Sequence, residues 1–313
     1  MSKNILNRDS KKLLFILNPV AGRKQYKKVL PEILQSFMDQ GYLVTTYLTQ
    51  SAGDAERYAA LCGADYDRVV CLGGDGTLCQ VAAGLRRCGK DMPVGYIPAG
   101  TSNDFGALHH LSSDLVQAAQ DAVTGRVKAV DSGRLNDTGF VYVAAFGTFI
   151  ATAYATPQDI KNALGRPAYF LDAMRELPRI RAEHLKITAD GQVYEGDYIF
   201  GAITNNITVS GVISLPEGTV DTDDGLFEVV LIENITTLPE LGDVVYSALT
   251  GDFISPQITF LHAREIIIES QNGLDWTLDG EYHRCGPRAV IENLQRSLRV
   301  FVPQDNNQGI PLP

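Results

Sequence analysis

The chain has 313 residues, enough for one large domain or two ordinary ones, and its 45% hydrophobic and 20% charged residues suit a globular protein with a core. Its net charge of −10 argues against nucleic acid as the main partner, because a phosphate backbone needs a basic surface. Five cysteines (Cys62, Cys71, Cys79, Cys88 and Cys285) include no CxxC pair and so no zinc spacing, the polar N-terminus has no signal-peptide core, and no apolar run approaches the ~18 residues of a membrane helix.

The first third alternates between strand and helix patterns. "KLLFILN" (12–18) predicts a buried strand, and "RKQYKKVLPEILQSFMDQG" (23–41) an amphipathic helix that Pro31 could bend. "YLVTTYL" (42–48), "RVVCLGG" (68–74) and "MPVGYIP" (92–98) predict further strands, with helices over 53–63 and 76–89. Strands alternating with helices imply a parallel sheet covered on both faces. Ligands of such sheets bind beyond the carboxyl ends of the strands. Three glycine-bearing turns fall at that edge: "NPVAG" (18–22), "GGDGT" (73–77) and "PAGTSND" (98–104).

After residue 133 the pattern changes to short strands, over 140–146, 185–190, 193–205, 226–232, 265–270, 274–281 and 297–303. "ADGQ" (189–192) and "SQNGL" (270–274) have hairpin-turn composition. The expectation is an antiparallel β-sandwich domain, interrupted by helices over 168–184 and 237–251. The predicted boundaries are 1–133 for the α/β domain and 134–293 for the β domain, with 294–313 returning to the first.

Backbone N–H groups in a glycine turn that opens a helix form an anion cradle, and glycine lets a phosphate approach without a Cβ in the way. Taken alone, each turn could serve geometry only. "GGDGT" is neither a GxGxxG fingerprint nor a Walker P-loop, and its aspartate would repel a phosphate unless a metal or hydroxyl lay between them. Three such turns on one sheet edge make a phosphate site the better reading.

"NPVAG", "GGDGT" and "GTSNDF", in this order, together with "TVDTDDGLFEV" (219–229) and "WTLDGEY" (276–282), resemble the diacylglycerol kinase catalytic-domain family, whose superfamily includes sphingosine and ceramide kinases. The likeness to soluble bacterial lipid kinases runs over nearly the whole chain. It implies a Rossmann-like first domain, similar to NAD kinases and phosphofructokinases, and ATP-dependent phosphorylation of a lipid hydroxyl, with diacylglycerol the leading acceptor and phosphatidic acid the product. By motif match, Asn18, Gly22, Gly73, Gly74, Asp75, Gly76, Thr77 and Thr101 would line the nucleotide, and Thr49 in "TQSAGDA" matches an adenosine-side threonine.

The same resemblance links Asp75, Asp104 and Asp131 to Mg2+, partly through water, and makes Glu281 in "LDGE" the general base, with Asp279 as its partner. Read as an extended segment, Asp279 and Glu281 would project to one face. Asp221 and Asp224 with the Leu226 carbonyl match a structural magnesium site of the soluble bacterial members, expected to stabilise the β domain.

Segment 161–188 holds six Lys or Arg against three acids and could rest on an anionic membrane surface, although such a stripe more often faces a core. The expected location is the cytoplasm, in peripheral contact with the inner face of the membrane. A homodimer is left open. Rival readings are a kinase of a soluble acceptor such as NAD, and a lipid- or nucleotide-sensing protein without turnover.

Overall fold

The apolar run at the head of the chain lies inside a parallel sheet. In the computed structural model, which describes residues 11–22, 25–100, 103–147, 181–209, 213–216 and 218–304, strand β1 (Lys11–Leu17) is fully buried from Leu13 to Leu17. Burial of consecutive residues, rather than alternate ones, is what a strand covered on both faces requires. The chain separates into two units: Met1–Val130 with Leu298–Pro313, and Asp131–Ser297.

In the first unit, α1 (Tyr26–Asp39) follows β1 and continues through Pro31. Next come β2 (Tyr42–Leu48), α2 (Asp54–Cys62), β3 (Arg68–Gly73), α3 (Asp75–Arg87) and β4 (Val94–Pro98). β1 pairs in parallel with β2 and β3, and β3 with β4, giving the order β2-β1-β3-β4. Leu13, Phe15 and Leu17 face Ile33 and Phe37 of α1, and Ala118, Ala119 and Ala122 of a further helix complete that core.

The helix that the third turn was expected to open is short, α4 (Asp104–Leu108). α5 (Leu115–Thr124), not expected from the sequence pattern, carries a side-chain cap in which Asp114 accepts the N–H groups of Val116 and Gln117. β5 (Arg126–Leu135), also unexpected, leads into the second unit.

The second unit is antiparallel and sandwich-like. It contains β6 (Thr138–Phe140), β7 (Val143–Gly147), β8 (Glu183–Ala189), β9 (Gln192–Thr204), the short pair β10 (Thr208–Val209) and β11 (Ile213–Ser214), and β12 (Phe227–Glu233). After helix α6 (Leu238–Thr250) come β13 (Ile258–Ala263), β14 (Glu265–Ser270), β15 (Asp275–Leu278), β16 (Glu281–Arg284) and β17 (Arg288–Val302). β9 pairs with β8 along its first half and with both β7 and β12 along its second, so one long strand ties the sheet together. Trp276, Phe146, Phe227 and Ile203 sit in its core. The end of β17 belongs to the first unit, where Val300 aligns with Val94 of β4 in parallel.

Three expectations change. Glu183 and His184 begin strand β8 rather than end a helix, and residues 168–180 of that expected helix lie outside the described residues. "SQNGL" is a connection, because β14 pairs with β8 and β17 whereas β15 pairs with β7 and β16. The actual hairpin is at Asp279 and Gly280, with φ values of 47° and 91° between the paired Leu278 and Glu281. Two consecutive left-handed residues make a two-residue hairpin loop, for which Asp-Gly is a favoured pair. The extended geometry behind the shared face of Asp279 and Glu281 is therefore absent.

Candidate active site

The three glycine turns meet at the carboxyl ends of β1, β3 and β4. The N–H of Asn18 donates to the Leu72 carbonyl at 2.9 Å, and that of Ala99 to the Gly73 carbonyl at 2.7 Å, so the first and third turns are each tied to the strand leading to the second. The Asn18 side chain also donates to Thr77 Oγ1 at 3.3 Å. Close approach explains the glycines. A Cβ on Gly22, whose φ is 49°, would lie 2.2 Å from the Ala99 oxygen, and one on Gly100 would lie 2.6 Å from Gly74 Cα. Thr49 stands at the end of β2, its N–H on the Leu17 carbonyl. Gly76 and Thr77 form the first turn of α3, whose N-terminus favours an anion. Thr101 lies outside the described residues.

Asp75 is buried, and both its oxygens are held. Oδ1 accepts the Tyr96 hydroxyl at 3.0 Å, and Oδ2 accepts the Asp104 N–H at 3.0 Å. The sequence reading missed Tyr96, whose place on a buried strand marked it only as core. Asn103, one of the small polar residues of the third turn, braces it: its side chain accepts the Gly100 N–H at 2.8 Å. Asp104 has a buried Oδ2 with no partner, and burial pushes its carboxyl above the usual range. An orphaned carboxylate oxygen beside a glycine cradle suits a hydrated divalent cation that carries phosphate.

Asp131 behaves differently. Its oxygens accept the N–H groups of Gly225 and Arg296, both at 2.7 Å, while its own N–H donates to the Thr222 carbonyl. It thereby pins the "DTDDGL" loop. Burial raises its carboxyl, and the two N–H donors oppose the rise.

That loop carries Asp221, Asp224 and Leu226. Asp221 Oδ1 accepts the Asp223 N–H, Asp224 Oδ1 accepts that of Leu226, and the Leu226 carbonyl accepts from Asn293 Nδ2 at 3.0 Å. Among the described residues no three His, Cys, Asp or Glu side chains already converge on one point. Glu228, two residues further on, is fully buried. Burial pushes its carboxyl up to about 8, the charges of Asp224 and Asp221 add to the rise, and backbone N–H groups, that of Asp221 among them, oppose it. The Asp221, Asp224 and Leu226 oxygens are of the kind a hard cation takes.

On the hairpin, Asp279 is buried and Glu281 exposed. Asp279 Oδ2 accepts the N–H of Val141 at 2.6 Å, and Oδ1 accepts those of Tyr142 and Val143 at 3.0 and 3.1 Å. A carboxylate so engaged anchors the turn that carries Glu281. Of the basic segment, residues 161–180 lie outside the described residues; Lys186 pairs with Glu269 across β8 and β14.

Comparison with known proteins bears on both units. Residues 12–135 match the diacylglycerol kinase catalytic domain, and residues 145–302 match the YegS C-terminal NAD kinase beta sandwich-like domain. A diacylglycerol kinase of Staphylococcus carnosus is 32% identical over 94% of this chain and 96% of its own length. One from Staphylococcus aureus is 33% identical over 94% and 93%. A solved structure of a diacylglycerol kinase from Bacillus anthracis superposes with a TM-score of 0.72 at 24% identity, covering 95% of this chain and 98% of its own, and so shares the fold.

Proposed function

Because the chain belongs to the diacylglycerol kinase family and is a kinase, we propose that it transfers the γ-phosphoryl group of ATP to the free hydroxyl of diacylglycerol, giving phosphatidic acid. The observation that carries the nucleotide side is the packing of the three glycine turns, with Gly100 against Gly74 and Gly22 against Ala99. The acceptor follows from relatives named diacylglycerol kinase that match end to end.

Asn18, Gly22, Gly73, Gly74, Gly76, Thr77 and Thr101 would line the phosphates, and Thr49 the adenosine side. Asp75 and Asp104 would hold magnesium through water. Bound there, magnesium supplies the charge neutralisation that phosphoryl transfer demands. Tyr96 and the Asp104 N–H fix the Asp75 carboxylate, so that little reorganisation is needed as charge develops. Glu281, exposed at the hairpin, takes the proton of the acceptor hydroxyl. Asp279 is a positioning residue that holds the hairpin carrying it. Asp221, Asp224 and the Leu226 carbonyl would hold a second, structural magnesium ion. Among the described residues no helix is long and apolar enough to cross a membrane, and we place the meeting with lipid at the inner membrane face by peripheral contact.

The test supplies γ-labelled ATP with diacylglycerol in mixed micelles, a panel of other lipid alcohols, or NAD. Label in phosphatidic acid supports the proposal. Label on another lipid changes the acceptor, and label on NAD alone overturns the lipid reading. Glu281→Gln is expected to abolish transfer while leaving ATP affinity nearly unchanged, and normal turnover in that variant removes Glu281 as base.

A further inference from the structure

β2 (Tyr42–Leu48) ends the strand order, and among the described residues β1 is its one strand partner. The two run in register over all seven residues of β2 without a bulge. The Thr49 N–H donates to the Leu17 carbonyl, so by alternation the odd-numbered residues of β2 turn their backbone groups to β1. Tyr42, Val44, Thr46 and Leu48 therefore turn their N–H and C=O groups outward.

An open edge of this kind is a template for another strand, and proteins protect it with charges, proline or a bulge. β2 reads "YLVTTYL" and has none of these, although the chain is 20% charged. β16, at the other end of the strand order, carries Glu281 and Arg284. Exposed apolar side chains also gather at the β2 edge. Leu43 and Leu48 lie on the strand, and Met38 stands in the last turn of α1, where its carbonyl accepts the Gly41 N–H just before β2. Leu61 of α2 is 78% exposed and lies three residues after Tyr58, on the same side of the helix. Tyr58 stacks on Tyr47 of β2 at 3.6 Å between ring centroids.

The strand is complementary to a second copy of itself. Antiparallel pairing about Thr45 sets Tyr42 against Leu48, Leu43 against Tyr47 and Val44 against Thr46, with Thr45 against its own equivalent. Aromatic residues then meet leucines, valine meets threonine, and no like charges oppose each other. The outward groups of Tyr42, Val44, Thr46 and Leu48 form the hydrogen-bonded pairs, and Thr45 falls at a close, non-hydrogen-bonded pair. One register thus uses every outward backbone group of β2.

We propose that the β2 edge is a homodimer interface, in which two copies of the chain join their sheets antiparallel with the two-fold axis at Thr45. Such an interface is isologous, the same strand serving on both sides.

Analytical ultracentrifugation of the full chain over a micromolar concentration series tests this, with circular dichroism as the check on folding. The parent is expected to dimerise. Thr45→Lys opposes two like charges at the axis, and Thr46→Pro removes an outward N–H while keeping the bonds to β1. Each should weaken the dimer at least about tenfold, whereas Thr45→Ser should dimerise as the parent does. Thr45→Cys tests the register. A non-hydrogen-bonded pair brings its Cα atoms to about 4.5 Å, within the range of a disulfide. Diamide, which takes one hydrogen from each of the two thiols, should convert this variant to a covalent dimer on a non-reducing gel. The parent with its own five cysteines, treated alike, is the control and should not cross-link. A monomeric parent overturns the proposal, and hydrogen exchange that finds the Val44 and Thr46 amides protected in that monomer identifies the chain itself as the cover. A dimer that persists in Thr45→Lys and Thr46→Pro and does not cross-link through Thr45→Cys also overturns it, since the interface then lies elsewhere.

Discussion

Tyr96 donates its hydroxyl to Asp75 across 3.0 Å from a side chain that is 1% exposed. The phenol and the Asp104 N–H occupy one carboxylate oxygen each, so Asp75 has a single orientation. A hydrogen bond to a charged group contributes about 1.5–3 kcal/mol, or ~10–100-fold in a rate constant if the whole effect reaches the transition state. Tyr96→Phe should lower kcat/KM for MgATP by about tenfold, mostly through KM and the magnesium requirement, with a shift in melting temperature too small to explain it. Steady-state kinetics across a magnesium series tests this. An unchanged magnesium dependence would show that the hydroxyl serves packing alone.

The contact between Gly100 and Gly74 predicts a second result. A methyl group at position 100 meets Gly74 Cα at 2.6 Å and Asn103 Oδ1 at 2.8 Å, and one of these contacts is backbone. The third turn must then move away from the second. Gly100→Ala should weaken ATP binding by about tenfold or more, which corresponds to ~1.4 kcal/mol. Gly286→Ala, where a Cβ meets nothing within 4 Å, serves as the neutral control. Calorimetric ATP titration of both variants decides it, and equal affinities would mean that the turns do not cradle the phosphates.

The hairpin that carries the proposed base separates two carboxylates by role. Asp279 receives three backbone N–H groups, whereas Glu281 is exposed. Asp279→Asn keeps the shape but loses the charge and part of the acceptor capacity, at a cost of about 2 kcal/mol. For a chain of 313 residues that lowers the melting temperature by about 3 °C. Glu281→Gln should leave melting unchanged. A calorimetric scan of the two variants tests the division, and equal melting temperatures would remove Asp279 as the anchor of the turn.

These residues also show what the sequence could disclose. The buried strands were legible because "LLFIL" and "VVCL" are unbroken apolar runs, the pattern of strands covered on both faces. α5 had a readable cap in Asp114 that went unused. β13 and β16 did not stand out, since "ITFLHA" is only partly buried and "EYHR" is polar throughout. The turn at Asp279 was available as an Asp-Gly pair between residues that could face each other, yet treating the segment as extended hid it. Tyr96 could not be found this way. Its significance comes from a partner supplied by another element, and a tyrosine on a strand looks alike whatever its hydroxyl meets.

His109 gives the prediction that depends on pH. It follows α4, packs its ring against Phe105 at 4.4 Å between centroids, and is 5% exposed. Burial drives its pKa down from 6.5 to about 3, with Lys128, His110 and Arg126 acting in the same direction. The sign follows from proton binding. Below about 6.5 the unfolded chain takes up a proton that the folded chain refuses until about 3, so this contribution to stability is complete above 6.5 and is lost as the pH falls through that window. At pH 5 the loss is about 2 kcal/mol. Because α4 begins at Asp104, strain at its far end would loosen the third phosphate turn, and ATP affinity should fall with stability. His109→Phe keeps the ring but cannot take a proton, so its stability should decline less between pH 7 and pH 5, by about 2 kcal/mol relative to the parent. Denaturant melts at the two pH values measure the difference, and parallel losses in the two proteins would place the acid sensitivity elsewhere.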